Sequence, residues 1–289
     1  MEISDVHETT RRAGKKAAGV SGDVAAHPFR VLSLFSGIGG LDLGVKLAVP
    51  RARTVGYVER DAFAAAVLVA RMEDAALDEA PIWDDVSTFD GQAWRGRVDC
   101  IVGGFPCQDI SLAGRGAGIA EGTRSGLWLE YARIIRDVAP RYVFVENVSA
   151  LLARGMDIVL RDLAELGFDA EWDVFRACDV GAPHIRRRVF IMAHADGDGL
   201  EGERRGGLLD SERPALGRHA HRCRAFPPGP DDAVGWRDWL AVHPGTEPTV
   251  RRDADGTTAR LDQLRALGNG VVPLVAAQAW RVLSERLAW

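Results

Sequence analysis

The run FRVLSLFSGIGGLDLGVKLA, residues 29–48, limits the possible folds of this chain more than any other stretch. Its first seven residues, FRVLSLF, read as a buried strand, SGIGG breaks that strand, and LDLGVKLA has the apolar spacing of a helix. The same unit recurs: TVGYVE (54–59) precedes DAFAAAVLVARM, and VDCIVGG (98–104) precedes SGLWLEYARIIRDVAP, with Ser125 as N-cap and Pro140 beyond the helix end. YVFVEN (142–147) is followed by MDIVLRDLAELG, which stops at Gly167, and EWDVFRA and RRVFIMA read as a late pair of strands. Strands alternating with helices predict an α/β fold with a doubly wound, mostly parallel, Rossmann-like sheet. Ligands of such sheets bind beyond the carboxyl ends of the strands.

Outside this alternation the composition changes. Residues 1–27, with ETTRRAGKKAAG at their centre, have no period and read as a flexible basic arm. The α/β pattern fills 28–194. From 195 to 262 the chain turns to DGDGLEGERRGG and PPGPDD, with Trp236, Trp239 and Leu240 as the main residues to bury, and reads as a small irregular domain. Order returns over 263–289 with LDQLRALGNGVVP and a terminal helix, LVAAQAWRVLSERL.

The 289 residues, 47% of them apolar, can fill a real core, and no apolar run approaches the roughly 18 needed for a membrane span. No signal-like segment opens the chain, so a cytoplasmic protein is expected. Four cysteines without a CxxC pair predict neither a disulfide frame nor a zinc site, and His219, His221 and Cys223 alternate with no fourth ligand nearby; no metal is expected. The net charge of −5 argues against a protein that coats nucleic acid over its whole surface and leaves a local basic face open. Arginines outnumber lysines 33 to 3; arginine suits bidentate contacts to phosphate and guanine, but a GC-rich coding sequence gives the same bias.

Two strand ends carry ligand chemistry. In FSGIGG (35–40) bare backbone can approach a nucleotide. A dinucleotide pattern would place a small residue at 42, where Asp42 instead sets a negative charge in the first helical turn, which disfavours NAD or FAD. Glu59 ends the second strand about 20 residues on, the usual place for a carboxylate that accepts from ribose hydroxyls, and Asp85 in WDDV suits an adenine amino group. Taken singly, each of these carboxylates is as well explained as an exposed loop residue. Together they fit a nucleoside without phosphates, and S-adenosylmethionine, whose sulfonium is cationic, is such a molecule.

The third strand end reads IVGGFPCQDIS (101–111). A cysteine beside an apolar strand is more often inert core. Here Gly103 and Gly104 permit a turn, Pro106 fixes φ just before Cys107, and Gln108 to Ser111 lead into GRGAGIAEG, a candidate lid over 112–124.

At this point the chain resembles the DNA (cytosine-5)-methyltransferases. In order it carries FSGIGG, Glu59, DDV, GGFPCQ, RSGLW, ENV at 146–148, RRR at 186–188 and GNGVVP. The resemblance implies transfer of methyl from S-adenosylmethionine to carbon 5 of a cytosine flipped out of double-stranded DNA, through a covalent adduct with Cys107. It assigns Cys107, Glu146, Asn147, Arg186 and Arg188 to catalysis. Phe35, Gly37, Gly39, Gly40, Glu59, Asp85, Phe105, Leu127, Asn269 and Val271 fall to the cofactor, with Gln108, Ser111, Arg115 and Arg124 on the DNA. It implies target recognition by 195–262, no metal and a monomer; whether the role is restriction–modification, phage-borne or solitary is not readable. Arg186 and Arg188 alternate in HIRRRVFI and share a face, where like charges call for an anionic third party.

The match also has departures. Arg60 stands where the family often has an aromatic, which leaves adenine packing to Phe35 and Ile82 or Trp83. His184 replaces a usual glutamine, and the arginine- and leucine-containing motif that normally precedes Gln263 is not recognisable. Three alternatives stay open: methylation of a transfer RNA cytosine, an inactive DNA-binding methyltransferase fold, and a thiol enzyme using NAD. Asp42 and the missing resolving cysteine oppose the last.

Overall fold

The computed structural model describes residues 27–106, 126–195, 226–227, 232–243 and 268–287. Cys107, Gln108, Ser111, Arg115, Arg124 and Ser125, the candidate lid, the arm up to residue 26 and the His219, His221, Cys223 triplet lie outside the described residues.

A seven-stranded sheet organises the described chain. Its order is β3 (Ile82–Trp83), β2 (Ala52–Val58), β1 (Phe29–Leu34), β4 (Cys100–Gly103), β5 (Tyr142–Val148), β7 (Arg187–Ala195) and β6 (Phe168–Arg176). The pairings from β3 to β5 are parallel, whereas β7 runs antiparallel to both β5 and β6. The doubly wound, mostly parallel α/β sheet read from the sequence is the fold observed.

Both faces of the sheet are covered, which is why its central strands are near-continuous apolar runs rather than alternating ones. On one face Leu32, Leu34, Ile101, Val143 and Val145 pack against Tyr131, Ile134 and Ile135 of α3 (Gly126–Val138). α2 (Ala62–Glu73), α4 (Leu151–Arg154) and α5 (Met156–Glu165) also connect the strands, and the turn after α5 closes at Gly167 with φ 83°. On the opposite face Val31, Val102, Phe144 and Phe190 pack against α1 (Gly40–Ala48) and the last helix.

Within the region read as irregular, Ala233–Val242 forms a helix, α6. Asp232 caps it by accepting from the Gly235 amide at 2.7 Å, and Trp236, Trp239 and Leu240 share one stripe by their spacing. Leu240 nevertheless remains 39% exposed.

The last helix, α7 (Pro273–Leu287), meets α1 almost backbone to backbone. A Cβ at Gly44 would lie 2.4 Å from that of Ala276, and one at Gly40 would lie 2.4 Å from the Val271 carbonyl oxygen. Beneath this seam Asp42 is buried and points toward the sheet, not the glycine loop. Ser33 Oγ of β1 and Thr54 Oγ1 of β2 donate to its two oxygens at 2.9 and 3.1 Å. The charge expected to repel a pyrophosphate is therefore a tie between α1 and two strands, and burial pushes its carboxyl up to about 6.

Two outcomes follow from this packing. Gly44→Ala should lower the unfolding free energy by about 1–3 kcal/mol through overpacking, read from urea midpoints. Gly126→Ala, with nothing within 4 Å of the added carbon, should stay within about 1 kcal/mol. Because the Asp42 carboxyl titrates at about 6 when folded and near 3.8 otherwise, its contribution is fully present below pH 3.8 and declines as pH rises toward 6. The loss is roughly 3 kcal/mol. Asp42→Asn should remove that slope from denaturation curves taken between pH 4 and pH 7.

Candidate active site

The candidate site lies along the carboxyl ends of β1, β2, β4 and β5, where backbone turns place polar groups on one rim. At β1 the chain leaves the sheet through left-handed backbone at Phe35 (φ 51°), Gly37 (φ 54°) and Gly39 (φ 78°). Phe35 accepts this conformation with its ring stacked 6.1 Å from Tyr131. Ser36 ties the turn down through its hydroxyl, which donates to the Ser33 and Val58 carbonyls at 3.1 and 3.3 Å.

Glu59 follows β2 and faces this loop. One of its oxygens accepts from the Gly37 amide at 2.6 Å and the other from the Asp61 amide at 2.7 Å. Arg71 of α2 donates to the Ile38 carbonyl, a second grip on the loop that the sequence reading missed. Its only signal in the sequence was a basic residue in the last turn of α2.

A Cβ at Gly37 would meet nothing within 4 Å, so the loop is an open cradle. Its Gly37 amide is already committed to a carboxylate, which disfavours a pyrophosphate and suits a cationic nucleoside. The carboxylate that disfavours a dinucleotide at this loop is thus Glu59, not Asp42. Asp85, after β3, accepts from the Ser87 amide and hydroxyl at 2.9 and 2.7 Å, and these bonds hold its carboxyl below the usual range. Trp83 is 47% exposed beside it, and Ile82 is half-buried.

At β4 the chain passes Gly103 and Gly104 to Phe105, which is buried 5.1 Å from the Trp128 ring. Leu127 packs on the same cluster. A Cβ at Gly104 would come 2.9 Å from Glu146 Oε2, so only glycine lets β4 end against that carboxyl. Asn147 points to the other face of β5, where its Nδ2 donates to the Phe105 carbonyl at 2.9 Å.

Glu146 is buried at the end of β5, opposite Phe190 of β7. The antiparallel register sets Arg188 opposite Val148, one diagonal step from Glu146 on the same face. Arg188 Nε stands 2.9 Å from Glu146 Oε1. That distance makes an ion pair, but the approach is off the line of a hydrogen bond, and Oε1 keeps unused accepting capacity. Burial pushes the Glu146 carboxyl up to about 7 against the opposing pull of Arg188 and Arg186.

Arg186 precedes β7 with φ 30° and donates through Nη2 to the Gly268 and Gly270 carbonyls. Asn269 between them is exposed, while Val271 reaches back to Gly40. The structure therefore brings Phe35, Gly37 and Glu59 together at one end of the rim, and Glu146, Arg186 and Arg188 at the other. Gly40 and Val271 lie between. Among the described residues no group of three or more His, Cys, Asp or Glu side chains is placed to hold a metal, and no helix is long and apolar enough to cross a membrane.

The chain is similar in sequence and fold to known proteins. The family model for C-5 cytosine-specific DNA methylases matches residues 29–212. The type II methyltransferase M.CviJI of Paramecium bursaria Chlorella virus IL3A is 34% identical over 168 residues, covering 57% of this chain and 43% of that protein. The type II methyltransferase M.PspPI of a Psychrobacter strain is 34% identical over 178 residues, covering 59% and 41%. The matches thus span about two-fifths of the length of these relatives. Among solved structures, the S. pombe Dnmt2 methyltransferase shares the fold with a TM-score of 0.57 at 17% identity, covering 90% of this chain and 100% of that one. The Entamoeba histolytica methyltransferase EhMeth does so at 0.57 and 16%, covering 91% and 99%. With the family model matching well over half of its length, this chain belongs to the C-5 cytosine-specific DNA methylase family.

Proposed function

We propose that this protein transfers a methyl group from S-adenosylmethionine to carbon 5 of a cytosine flipped out of double-stranded DNA. The observation that carries this reading is Glu146: a buried carboxyl raised to about 7, paired with Arg188 and set against Gly104, three residues before Cys107. A carboxyl that holds its proton near neutral pH can donate to N3 of a cytosine.

When bound, S-adenosylmethionine supplies an electrophilic methyl on a sulfonium. The open cradle at Gly37, the acceptor Glu59, Asp85 and the rings of Phe35 and Trp83 hold its nucleoside. Cytosine carbon 5 is a poor nucleophile, so Cys107 first adds as a thiolate to carbon 6, and Glu146 protonates N3 as charge reaches the ring. The resulting enamine takes the methyl at carbon 5, releasing the neutral thioether S-adenosylhomocysteine; the carbon 5 proton passes to solvent, Cys107 departs as the thiolate, and the N3 proton returns to Glu146, which restores the aromatic ring. Asn147 fixes the Phe105 carbonyl and through it the start of the Cys107 loop. Arg188 orients Glu146 and stands by the cytosine carbonyl oxygen. Flipping the base costs a few kcal/mol, a cost met by Gln108, Ser111, Arg115 and Arg124 and by recognition contacts from 195–262.

Labelled methyl donor should mark duplex DNA and not transfer RNA, and Cys107→Ser should abolish the label; incorporation into transfer RNA alone would change the substrate. DNA carrying 5-fluorocytosine should trap a covalent adduct, visible as a shifted band on denaturing gels. Because the donating form of Glu146 is the protonated one, turnover at saturating substrates should fall as pH rises through about 7. In Glu146→Gln that decline should vanish and the rate should drop by about 10²-fold.

A further inference from the structure

Arg186 is held at more points than a residue reserved for substrate needs to be. Its main chain sits at φ 30°, and both its carbonyl and that of Ile185 accept from the Ala177 amide, at 3.3 and 2.8 Å. Its Nη2 donates to two backbone carbonyls, 2.7 Å from that of Gly268 and close against that of Gly270. Its Nε is buried with no hydrogen-bond partner among the described residues. Arg186, Arg188, Phe190, Val271, Val272 and Val275 line a small, partly open pocket, and Val271 itself lies on Gly40 at the head of α1.

We infer that Arg186 is a positioning residue that clasps segment 268–272 onto the carboxyl rim of the sheet, forming the wall between the methyl-donor cradle and the Glu146–Arg188 pair. This rests on the function proposed above and refines it, since the resemblance alone placed Arg186 with the base. An Nη2 group has two hydrogens, and here both point at main-chain oxygens, so the end of the side chain is committed to the segment and only Nε and Nη1 remain for any other group. The alternation that would set both arginines on one strand face does not hold, because Arg186 precedes β7 at φ 30°. Backbone carbonyl dipoles receive its guanidinium, and the Glu146 carboxyl meets that of Arg188. Val271 and Val272 pack on the core beside α1, whereas residues 268–270 precede that packing and are the part that the Arg186 bonds tie down.

The test uses the full chain without ligand. Hydrogen exchange read by mass spectrometry over 268–277 reports on the clasp through the Val275 and Ala276 amides, which bond to the Val272 carbonyl at 3.0 and 3.2 Å. Arg186→Met should speed their exchange at least tenfold, and Arg186→Lys, which keeps charge and donors, should recover part of the protection. By calorimetry, S-adenosylmethionine should bind Arg186→Met at least tenfold more weakly, with KM for the donor rising by a larger factor than kcat falls. Arg186→Gln, which keeps an amide donor, replaces the methionine variant if that fails to fold. Unchanged exchange overturns the clasp. So does an unchanged Kd with kcat lower by 10² or more, which would return Arg186 to the base. Failure of the wild-type protein to bind S-adenosylmethionine would instead count against the proposed function, and the exchange result would still decide the clasp.

Discussion

The contact on which the rest of this structure depends is the one between α1 and α7, where no side chain longer than a methyl separates two backbones. Gly40 and Gly44 on one helix meet Val271, Pro273 and Ala276 on the other chain segment. Such an approach gains dispersion over the whole seam and leaves no room for adjustment, because an added carbon would meet backbone or Cβ, not a flexible side-chain tip. The seam sets the height of the C-terminal segment above the glycine loop. Asp42, tied to β1 and β2 from beneath, sets the angle of α1. Between them the loop at 35–40 is held to Glu59 by the bond from the Gly37 amide.

The second determinant is electrostatic. Glu146 is buried, and Arg188 and Arg186 oppose the desolvation that raises its pKa without cancelling it. A carboxyl in this state can hold or release a proton at small cost, the property that acid–base chemistry near neutrality requires. Its placement follows from sheet topology. Only a strand running against β5 brings Arg188 diagonally across from Glu146 while directing the chain away from the rim, and β7 is that strand.

Much of this was legible in the sequence, for specific reasons. Parallel strands buried on both faces announce themselves as apolar runs, so β1, β2, β4 and β5 fell within a residue or two of their predicted positions. β3, two residues long, has no periodicity to detect. Apolar runs carry no direction, so the reversed β7 was seen as a strand but not as an antiparallel one. The Asp42 side chain was assigned to the wrong side of α1 because a position in a first turn does not reveal which neighbours lie on that face. Around the site, the grouping of Glu59, Glu146, Arg186 and Arg188 came from ordered motifs. The bonds from Arg186 to Gly268 and Gly270 span more than 80 positions, and no local pattern signals them; the bond from Arg71 to Ile38 spans 33 and is signalled only by a basic residue in the last turn of α2.

The seam also has a temporal meaning. Its two sides are written some 230 positions apart, so a growing polypeptide emerges from the ribosome with the glycine-lined groove of α1 complete long before α7 exists to fill it. Until then Val31, Val45 and Phe144 have bare hydrocarbon on that face. Nascent chains of this protein therefore present a sticky groove until α7 has been made and has docked on it.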